Sequence, residues 1–236
     1  MEKEVILITG ATSGYGKATA KLFVQNGYSV IITGRNAEKL ESAAKEIGAD
    51  PFCADATSFS DWEALRDYVM NKYGRIDMLL NNAGGGVAIK DIAEQSKEEI
   101  DGSISLNLTS AAYGCRVFAP VFISQGFGTV MNVSSVCAKQ AWPGWGVYGA
   151  AKWGVLGLTK GLSVELAPHG VRVTCLVPGA GDTNFDKNAN FTGRGSVPGL
   201  KAENVAEAIY GIYKLPKNVW VEEMTVWGID QVVIPL

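Results

Sequence analysis

A tyrosine and a lysine four positions apart are the side chains of this sequence best suited to acid–base chemistry. Tyr148 and Lys152 lie in a segment with helical spacing, so both project from one face about one turn apart. A phenol transfers protons poorly at neutral pH, but an adjacent ammonium stabilises the phenolate and lowers its pKa. We therefore expect Tyr148 to give or take a proton while the hydroxyl of Ser135 hydrogen-bonds a substrate oxygen. The alternative is a buried tyrosine beside a core serine, with a lysine that extends to solvent.

A glycine-rich turn is the second feature that predicts ligand binding. Gly10, Gly14 and Gly16 lie in the stretch T-G-A-T-S-G-Y-G, which follows an expected strand and precedes an expected helix. Glycines there allow a sharp turn and a close approach to a pyrophosphate, toward which free N–H groups and the helix N-terminus point. A glycine cluster alone also fits a simple tight turn. The strand–turn–helix context favours a dinucleotide-binding site.

Short β-branched runs alternate with longer segments of helical spacing along the chain. Val5–Ile8 is continuously apolar, which is typical of a parallel strand covered on both faces. The alternation predicts an α/β fold, with one Rossmann-type domain over residues 1–236 that has a doubly wound parallel sheet and helices on both faces. In such a sheet ligands bind outside the carboxyl ends of the strands.

The boundaries of these elements follow from the same pattern. The expected strands are Val5–Thr9, Ser29–Thr33, Met78–Asn81, Gly128–Val133 and Val171–Val177, with a strand-like segment at 224–229. The expected helices are Gly14–Asn26, Ala37–Ile47, Asp61–Tyr73, 96 to about 124, Tyr148–Ala167 and about 201–214. Ser60 and Ser96 each begin a capping-box spacing, and Gly27 lies where a helix C-cap glycine belongs.

Composition excludes several other classes of function. The 236 residues carry 21 basic and 24 acidic side chains, so no basic field favours nucleic acid or anionic lipid as a partner. His169 is the only histidine, and the four cysteines form no C-x-x-C pair, so a metal site is not expected. A charged start and the lack of a long apolar run predict a cytoplasmic protein with no membrane partner.

Several motifs together resemble those of the short-chain dehydrogenase/reductase family. The T-G-x-x-x-G-x-G turn is joined by N-N-A-G at 81–84, Asn107, Ser135 thirteen positions before Tyr148, Y-x-x-x-K at 148–152, and Pro178-Gly179 with Thr183. The resemblance covers about residues 5–185 and implies hydride transfer with a nicotinamide cofactor. It further implies that Ser135, Tyr148, Lys152 and Asn107 are catalytic, and that the asparagine holds a water that extends the proton path through the lysine.

Cofactor choice is predicted from the end of the second strand. Enzymes that use NAD place an acid there, whereas a nearby arginine accommodates the 2′-phosphate of NADP. Gly34 occupies the acid's position and Arg35 follows it, so we expect NADP(H); a solvent-facing arginine and NAD are the alternative. The cofactor-binding residues implied are Gly10, Thr12, Ser13, Gly14, Tyr15, Gly16, Arg35, Asn36, Asp55, Ala56, Asn82, Ala83, Gly84, Tyr148, Lys152, Pro178, Gly179 and Thr183.

The substrate side departs most from the family pattern. Gly181 stands where the family often has isoleucine or valine, and two indoles precede the catalytic tyrosine. The family folds the loop at about 179–200 over the substrate as a lid. The expected substrate-binding residues are Ser135, Tyr148, Trp142, Trp145, Phe185 and Arg194, although packing explains the indoles and a solvated loop explains Arg194 equally well.

Within the family the sequence is most similar to an NADP-dependent bacterial branch. That branch acts on 3-hydroxy acids, L-allo-threonine and other β-hydroxy amino acids, and includes sulfoacetaldehyde reductases. A ketone, steroid or quinone reductase is the alternative, and a non-catalytic NADP(H)-binding redox sensor is an alternative of another class. Family resemblance also implies a homo-oligomer, with a tetramer favoured over a dimer, assembled through the helices at 96–124 and 148–167.

Overall fold

The computed structural model describes residues 3–183, 185, 189 and 199–231. These residues form one parallel sheet with the strand order β3-β2-β1-β4-β5-β6-β7. The strands are β1 (Val5–Ile8), β2 (Ser29–Gly34), β3 (Asp50–Cys53), β4 (Met78–Asn81), β5 (Gly128–Val133), β6 (Val171–Pro178) and β7 (Glu223–Val226). The order reverses between β1 and β4, and an open parallel sheet binds ligands at such a reversal.

Helices cover both faces of this sheet. They are α1 (Gly14–Gln25), α2 (Ala37–Ile47), α3 (Phe59–Tyr73), α4 (Lys97–Ile104), α5 (Ser110–Gln125), α6 (Gly146–Leu166) and α7 (Ala202–Lys214). Successive side chains of β1 enter opposite cores, as the two-residue period of a strand requires. Ile6 and Ile8 pack with α1, α2 and α7, whereas Val5 and Leu7 pack with α3, α5 and α6. The predicted doubly wound parallel sheet is confirmed.

Three local expectations were wrong. β3 is absent from the predicted strands because its four residues include Pro51 and no β-branched side chain; as an edge strand it tolerates the proline. Helix α3 is capped by Ser58, whose side chain accepts a hydrogen bond from the Asp61 backbone, so the box predicted at Ser60 does not form. The single helix expected over 96–124 is interrupted by a π-helical turn at Ser105–Thr109.

Two other predictions of helix ends, at Ser96 and Gly27, were correct. The capping box at Ser96 forms in both directions with Glu99. Gly27 follows the C-cap residue of α1 with a φ of +85°, a left-handed conformation that favours glycine. These ends fix where each helix begins and stops relative to the strands, and therefore which loops lie at the carboxyl edge of the sheet.

Buried Arg172 fixes the path of the chain between α7 and β7. Its guanidinium donates hydrogen bonds to the carbonyls of Tyr213 and Leu215, at 3.1 Å each, and to Oγ1 of Thr129 at 3.0 Å. Bonds from a charged donor are stronger than neutral ones. The anchored connection brings β7 beside β6, so the segment after β7 also reaches the carboxyl edge of the sheet.

Candidate active site

A cavity of about 400 Å³ lies at the carboxyl ends of β1, β4, β5 and β6. The predicted site residues that line it are Gly10, Ser13, Gly14, Tyr15, Asn82, Gly84, Ser135, Trp142, Trp145, Tyr148, Lys152, Pro178, Gly179, Thr183 and Phe185. The predicted residues outside its lining are Thr12, Gly16, Arg35, Asn36, Asp55, Ala56, Ala83 and Asn107. Arg194 and most of the expected lid at 179–200 lie outside the described residues. The fold therefore gathers motifs from separate parts of the chain around one cavity.

The glycine-rich turn after β1 lies so close to the residues that follow β4 that side chains would not fit at its glycines. A Cβ on Gly10, whose φ is +63°, would lie 2.9 Å from Cα of Ala83, and one on Gly16 would lie 2.6 Å from Nδ2 of Asn82. That amide nitrogen donates hydrogen bonds to the backbone oxygens of Thr9 (2.9 Å) and Gly10 (3.2 Å). Asn82 therefore holds the turn in place. A bare backbone turn before a helix N-terminus fits the pyrophosphate of a dinucleotide.

At the end of β2, the Thr12 side chain takes the place of a side chain at Gly34, where enzymes that use NAD carry an acid. A Cβ on Gly34 would lie 2.6 Å from Cγ2 of Thr12, so Thr12 occupies that space. Arg35 follows as an exposed side chain. Hydrogen bonds from the backbone and side chain of Thr57 and, more weakly, the charge of Arg35 lower the pKa of Asp55. Both are available at the same edge for the ribose and adenine end of a nucleotide.

Tyr148 faces the cavity and is buried, with 7% of its surface exposed. Burial raises its pKa well above the ordinary value, and a hydrogen bond with Ser135 opposes the rise only in part. The sequence led us to expect that Lys152 and an oxidised nicotinamide together lower this pKa, whereas the groups of the chain alone raise it. The reason is that desolvation of the phenolate outweighs the stabilisation that the chain's own groups provide.

Lys152 lies one helical turn beyond Tyr148 and is 4% exposed. Its Nζ donates a hydrogen bond to the carbonyl of Val133 at 3.0 Å and lies 5.7 Å from the centre of the Tyr148 ring. Burial lowers the pKa of Lys152 to about 8. Ser134 donates to the carbonyl of Lys152 at 2.8 Å and so ties this helix to the end of β5. The amine is held near the phenol by backbone contacts rather than by a carboxylate.

Asn107 lies in the π-helical turn, and its side chain is held by backbone atoms. Nδ2 donates to the carbonyls of Gly85 (2.9 Å) and Ser103 (3.1 Å), while Oδ1 accepts from the N–H of Gly85 at 2.9 Å. A Cβ on Gly84 would lie 3.0 Å from Oδ1 of Asn107 and 3.2 Å from Nζ of Lys152. A side chain at position 84 would therefore crowd both of these predicted catalytic residues.

Three rings form an aromatic cluster beside the catalytic hydroxyl: Trp145, Tyr148 and Phe185. Trp145 and Phe185 lie parallel within 5° with their centres 5.7 Å apart. Each meets the ring of Tyr148 edge-on, at 5.6 Å and 5.2 Å respectively. Such offset and edge-to-face arrangements are the favourable ones for aromatic pairs. Trp142 lines the cavity and packs against a small buried core that includes Leu156 and Val177.

Comparison with known proteins identifies the family to which this arrangement belongs. Residues 4–192 match the model of the short chain dehydrogenase family. An uncharacterized oxidoreductase of Staphylococcus epidermidis is 32% identical over 228 residues, which cover 96% of this chain and 97% of that protein. This chain belongs to the short-chain dehydrogenase family. It is accordingly an oxidoreductase.

Solved structures of similar proteins contain nicotinamide cofactors of both kinds. An alcohol dehydrogenase from the archaeon Thermococcus sibiricus, complexed with 5-hydroxy-NADP, superposes with a TM-score of 0.89 at 30% identity and covers 99% of this chain and 100% of that one. A 3-ketoacyl-(acyl-carrier-protein) reductase from Brucella melitensis, complexed with NADH, gives 0.90 at 32% identity, with 98% and 99% covered. This short-chain dehydrogenase thus shares its fold with proteins that bind nicotinamide cofactors.

Tyr15 and Gly181 explain why this short-chain dehydrogenase departs from the family pattern after β6. A Cβ on Gly181 would lie 1.8 Å from the hydroxyl oxygen of Tyr15 and 2.6 Å from its Cζ. The tyrosine ring therefore fills the space that a side chain at 181 would take. Tyr15 was expected to bind cofactor, but its pairing with Gly181 was missed because the two are distant in sequence.

Sequence reasoning also missed Trp227 and Gln231, which line the cavity from the segment after β7. Nε2 of Gln231 donates to the carbonyl of Ala180 at 2.5 Å, and Oε1 accepts from the N–H of Gly228 at 3.2 Å. These bonds hold the turn that follows Pro178. The strand-like segment at 224–229 was the available signal, since a parallel strand next to β6 must end at the same edge.

The remaining expectations concern what lies away from the cavity. His169 is exposed in the short turn that precedes β6, at the opposite end of that strand from the cavity. Among the described residues, no group of three or more His, Cys, Asp or Glu side chains is placed to hold a metal ion. No helix in the described part of the chain is both long enough and apolar enough to cross a membrane.

Substituting Lys152 tests the effect of its burial on pKa and stability. Because its pKa falls from 10.5 to about 8 on folding, the unfolded chain binds more protons between these values and stability rises with pH there. The charged amine thus destabilises the folded protein at neutral pH. Lys152→Met should be more stable than the wild type at neutral pH, and this advantage should shrink by about 2–3 kcal/mol as the pH approaches 10.5.

Urea unfolding at a series of pH values measures this difference. Lys160→Met, at an exposed position of the same helix, is the matched control. A difference between Lys152→Met and wild type that stays constant with pH would show that burial does not shift this pKa.

The contact between Tyr15 and Gly181 predicts that stability and cofactor binding both fall when the residue at position 181 is enlarged. Gly181→Ala should destabilise the protein by about 1–3 kcal/mol and weaken binding of the nicotinamide cofactor, because the added methyl overlaps the Tyr15 hydroxyl. Tyr15→Leu/Gly181→Ala should recover most of that stability. Gly211→Ala in α7, where an added Cβ meets nothing within 4 Å, is the control and should be neutral or stabilising. Thermal unfolding and cofactor titration measure both effects; additive losses in the double variant would contradict the pairing.

Proposed function

We propose that this short-chain dehydrogenase transfers hydride between NADP(H) and the carbonyl or alcohol carbon of a small substrate. The observation that carries the proposal is the shared cavity, in which the glycine turn, Ser135, Tyr148 and Lys152 all face one volume. A nucleotide on the turn would present its nicotinamide to the same volume as the two hydroxyls. The nicotinamide supplies or accepts the hydride, and its oxidised form adds positive charge beside Tyr148.

The chain's own residues hold the substrate oxygen and move its proton. Ser135 and Tyr148 are hydrogen-bonded to each other, so a carbonyl oxygen between them would accept from both. Burial keeps Tyr148 protonated, which suits it to donate a proton to the oxygen during reduction. Lys152 places its amine next to the ring and beside Asn107, where protons would be replaced through the asparagine-bound water that the family resemblance implies.

The preference for NADP(H) over NAD(H) rests on the end of β2. Thr12 occupies the volume that an acid at position 34 would need, and Arg35 is exposed beside it. A guanidinium binds phosphate through charge-assisted hydrogen bonds. These contacts favour a 2′-phosphate, whereas the complex of the similar reductase from Brucella melitensis with NADH makes NAD(H) the alternative to test.

The proposed substrates fall into two groups. One comprises the 3-hydroxy acids, β-hydroxy amino acids and sulfoacetaldehyde of the bacterial branch that the sequence resembles. The other comprises less polar ketones, steroids or quinones, and the aromatic cluster favours this second group. A redox sensor without catalysis would not need Tyr148, Lys152 and Ser135 around one cavity.

We also propose a homo-oligomer, with a tetramer favoured, located in the cytoplasm. Trp153 and Val164 on α6 are 55% and 75% exposed, and Ile123 on α5 is 41% exposed. These apolar side chains lie on the helices through which the family resemblance implies assembly. Light scattering distinguishes a tetramer from a dimer or a monomer.

Removing the Tyr148 hydroxyl tests catalysis directly. Tyr148→Phe should lower turnover of NADPH with any carbonyl substrate by about 100- to 10,000-fold, because it removes the hydroxyl that gives the proton. NADPH affinity should change by no more than about threefold. Tyr113→Phe in α5, outside the cavity lining, is the control. Near-normal turnover by Tyr148→Phe would refute the proposed mechanism, and a wild type that binds NADPH but reduces no carbonyl would favour the sensor.

Arg35 tests the choice of cofactor. Arg35→Ala should raise the dissociation constant for NADPH by about 10- to 100-fold and leave that for NADH within about threefold. Fluorescence titration of both cofactors measures the two constants. Arg66→Ala, which removes an arginine from the surface of α3, is the control. Equal losses for NADPH and NADH would show that Arg35 does not recognise the 2′-phosphate.

A further inference from the structure

The wall next to the catalytic hydroxyl is a continuous aromatic surface. Trp145 and Phe185 stack on each other and both contact the ring of Tyr148, so they form a flat surface next to the position at which Tyr148 would hold a carbonyl group. Tyr15, Trp142 and Trp227 line further parts of the same cavity. Flat, polarisable groups gain most from such surfaces, since rings stack on them or meet them edge-on.

The polar groups near this surface already have partners or are neutral. Lys152 is the only charged side chain among the described residues that line the cavity, and its amine donates to the carbonyl of Val133. Burial raises the pKa of Cys137, so this neighbouring thiol is neutral as well. A carboxylate or sulfonate placed here would lose its hydration without gaining a matched cation from these walls.

We propose that the substrate is a neutral ketone or aldehyde that carries an aromatic or conjugated ring next to the carbonyl group. The ring lies against Trp145 and Phe185, and the carbonyl oxygen lies between Ser135 and Tyr148. This inference rests on the proposed function and narrows it to one chemical class. It disfavours the small anionic substrates of the bacterial branch.

The reaction is a two-electron reduction in which all atoms are accounted for. A hydride from NADPH forms the new C–H bond at the carbonyl carbon, and the π electrons of C=O move to the oxygen. That oxygen takes the phenolic proton of Tyr148, which gives a neutral alcohol and NADP⁺. The tyrosine is reprotonated from solvent.

A matched set of aldehydes and acids tests the substrate class on the full chain with NADPH. Benzaldehyde and cyclohexanecarboxaldehyde have similar size but differ in flatness, while acetoacetate and sulfoacetaldehyde are small anions. The ratio of kcat/KM for benzaldehyde to that for cyclohexanecarboxaldehyde should exceed about tenfold, and both anions should be poorer still.

Variants of the aromatic cluster test whether its rings cause the preference for benzaldehyde over cyclohexanecarboxaldehyde. Trp145→Leu and Phe185→Leu should each lower the ratio by about fivefold to tenfold, mainly through KM for benzaldehyde. Trp145→Phe, which keeps a flat ring, should retain most of the ratio even if Trp145→Leu folds poorly. Phe127→Leu, at an exposed position on the opposite edge of the sheet, is the control and should leave the ratio unchanged.

The outcomes separate this inference from the proposed function. Higher kcat/KM for acetoacetate or sulfoacetaldehyde than for benzaldehyde would overturn the aromatic substrate class and leave hydride transfer intact. In that case, loss of activity toward the anions in Arg194→Ala would assign anion recognition to Arg194. A ratio unaffected by Trp145→Leu and Phe185→Leu would also overturn it. Absence of turnover with every compound, despite NADPH binding, would overturn the proposed function itself.

Discussion

Burial of Tyr148 and Lys152 side by side at the carboxyl edge of the sheet is the constraint on which the site depends. Burial disfavours the charged form of each group, so the pKa of the phenol rises and that of the amine falls to about 8. Both shifts act in the direction of neutral groups. A tyrosine held protonated is a proton donor, and this is the role that reduction of a carbonyl requires.

Close contacts between backbone and side chains hold that buried pair in place. Gly84 leaves room for Asn107 and Lys152 to converge, and the carbonyl of Val133 accepts the amine's hydrogen bond. Similar pairs occur at the cofactor end, where Thr12 fills the space beside Gly34 and Tyr15 fills the space beside Gly181. Interiors are closely packed, so each missing side chain is compensated by a neighbour that enters its volume. The departures from the family pattern are therefore paired rather than independent.

The sequence predicted the parallel sheet and most of the residues that line the cavity, because both follow from local signals. Alternating strand and helix patterns fix the fold class, and motifs after parallel strands must meet at one edge. Properties that depend on distant neighbours were not predictable in this way. The pairing of Tyr15 with Gly181, the arrival of Gln231 from beyond β7 and the short edge strand at Asp50–Cys53 are examples. The rise of the Tyr148 pKa in the chain alone was also not predictable, because it depends on how completely the folded chain excludes water.

The claim that burial keeps Tyr148 protonated is tested most directly by tyrosinate absorbance during an alkaline titration of the cofactor-free protein. The spectrum of Tyr148→Phe is subtracted from that of the wild type at each pH, so that only the ionisation of Tyr148 remains. The account predicts no difference up to about pH 11, beyond the ordinary pKa of tyrosine. A difference that develops between about pH 7 and pH 9 would show that Lys152 lowers the pKa despite burial, and would contradict the account.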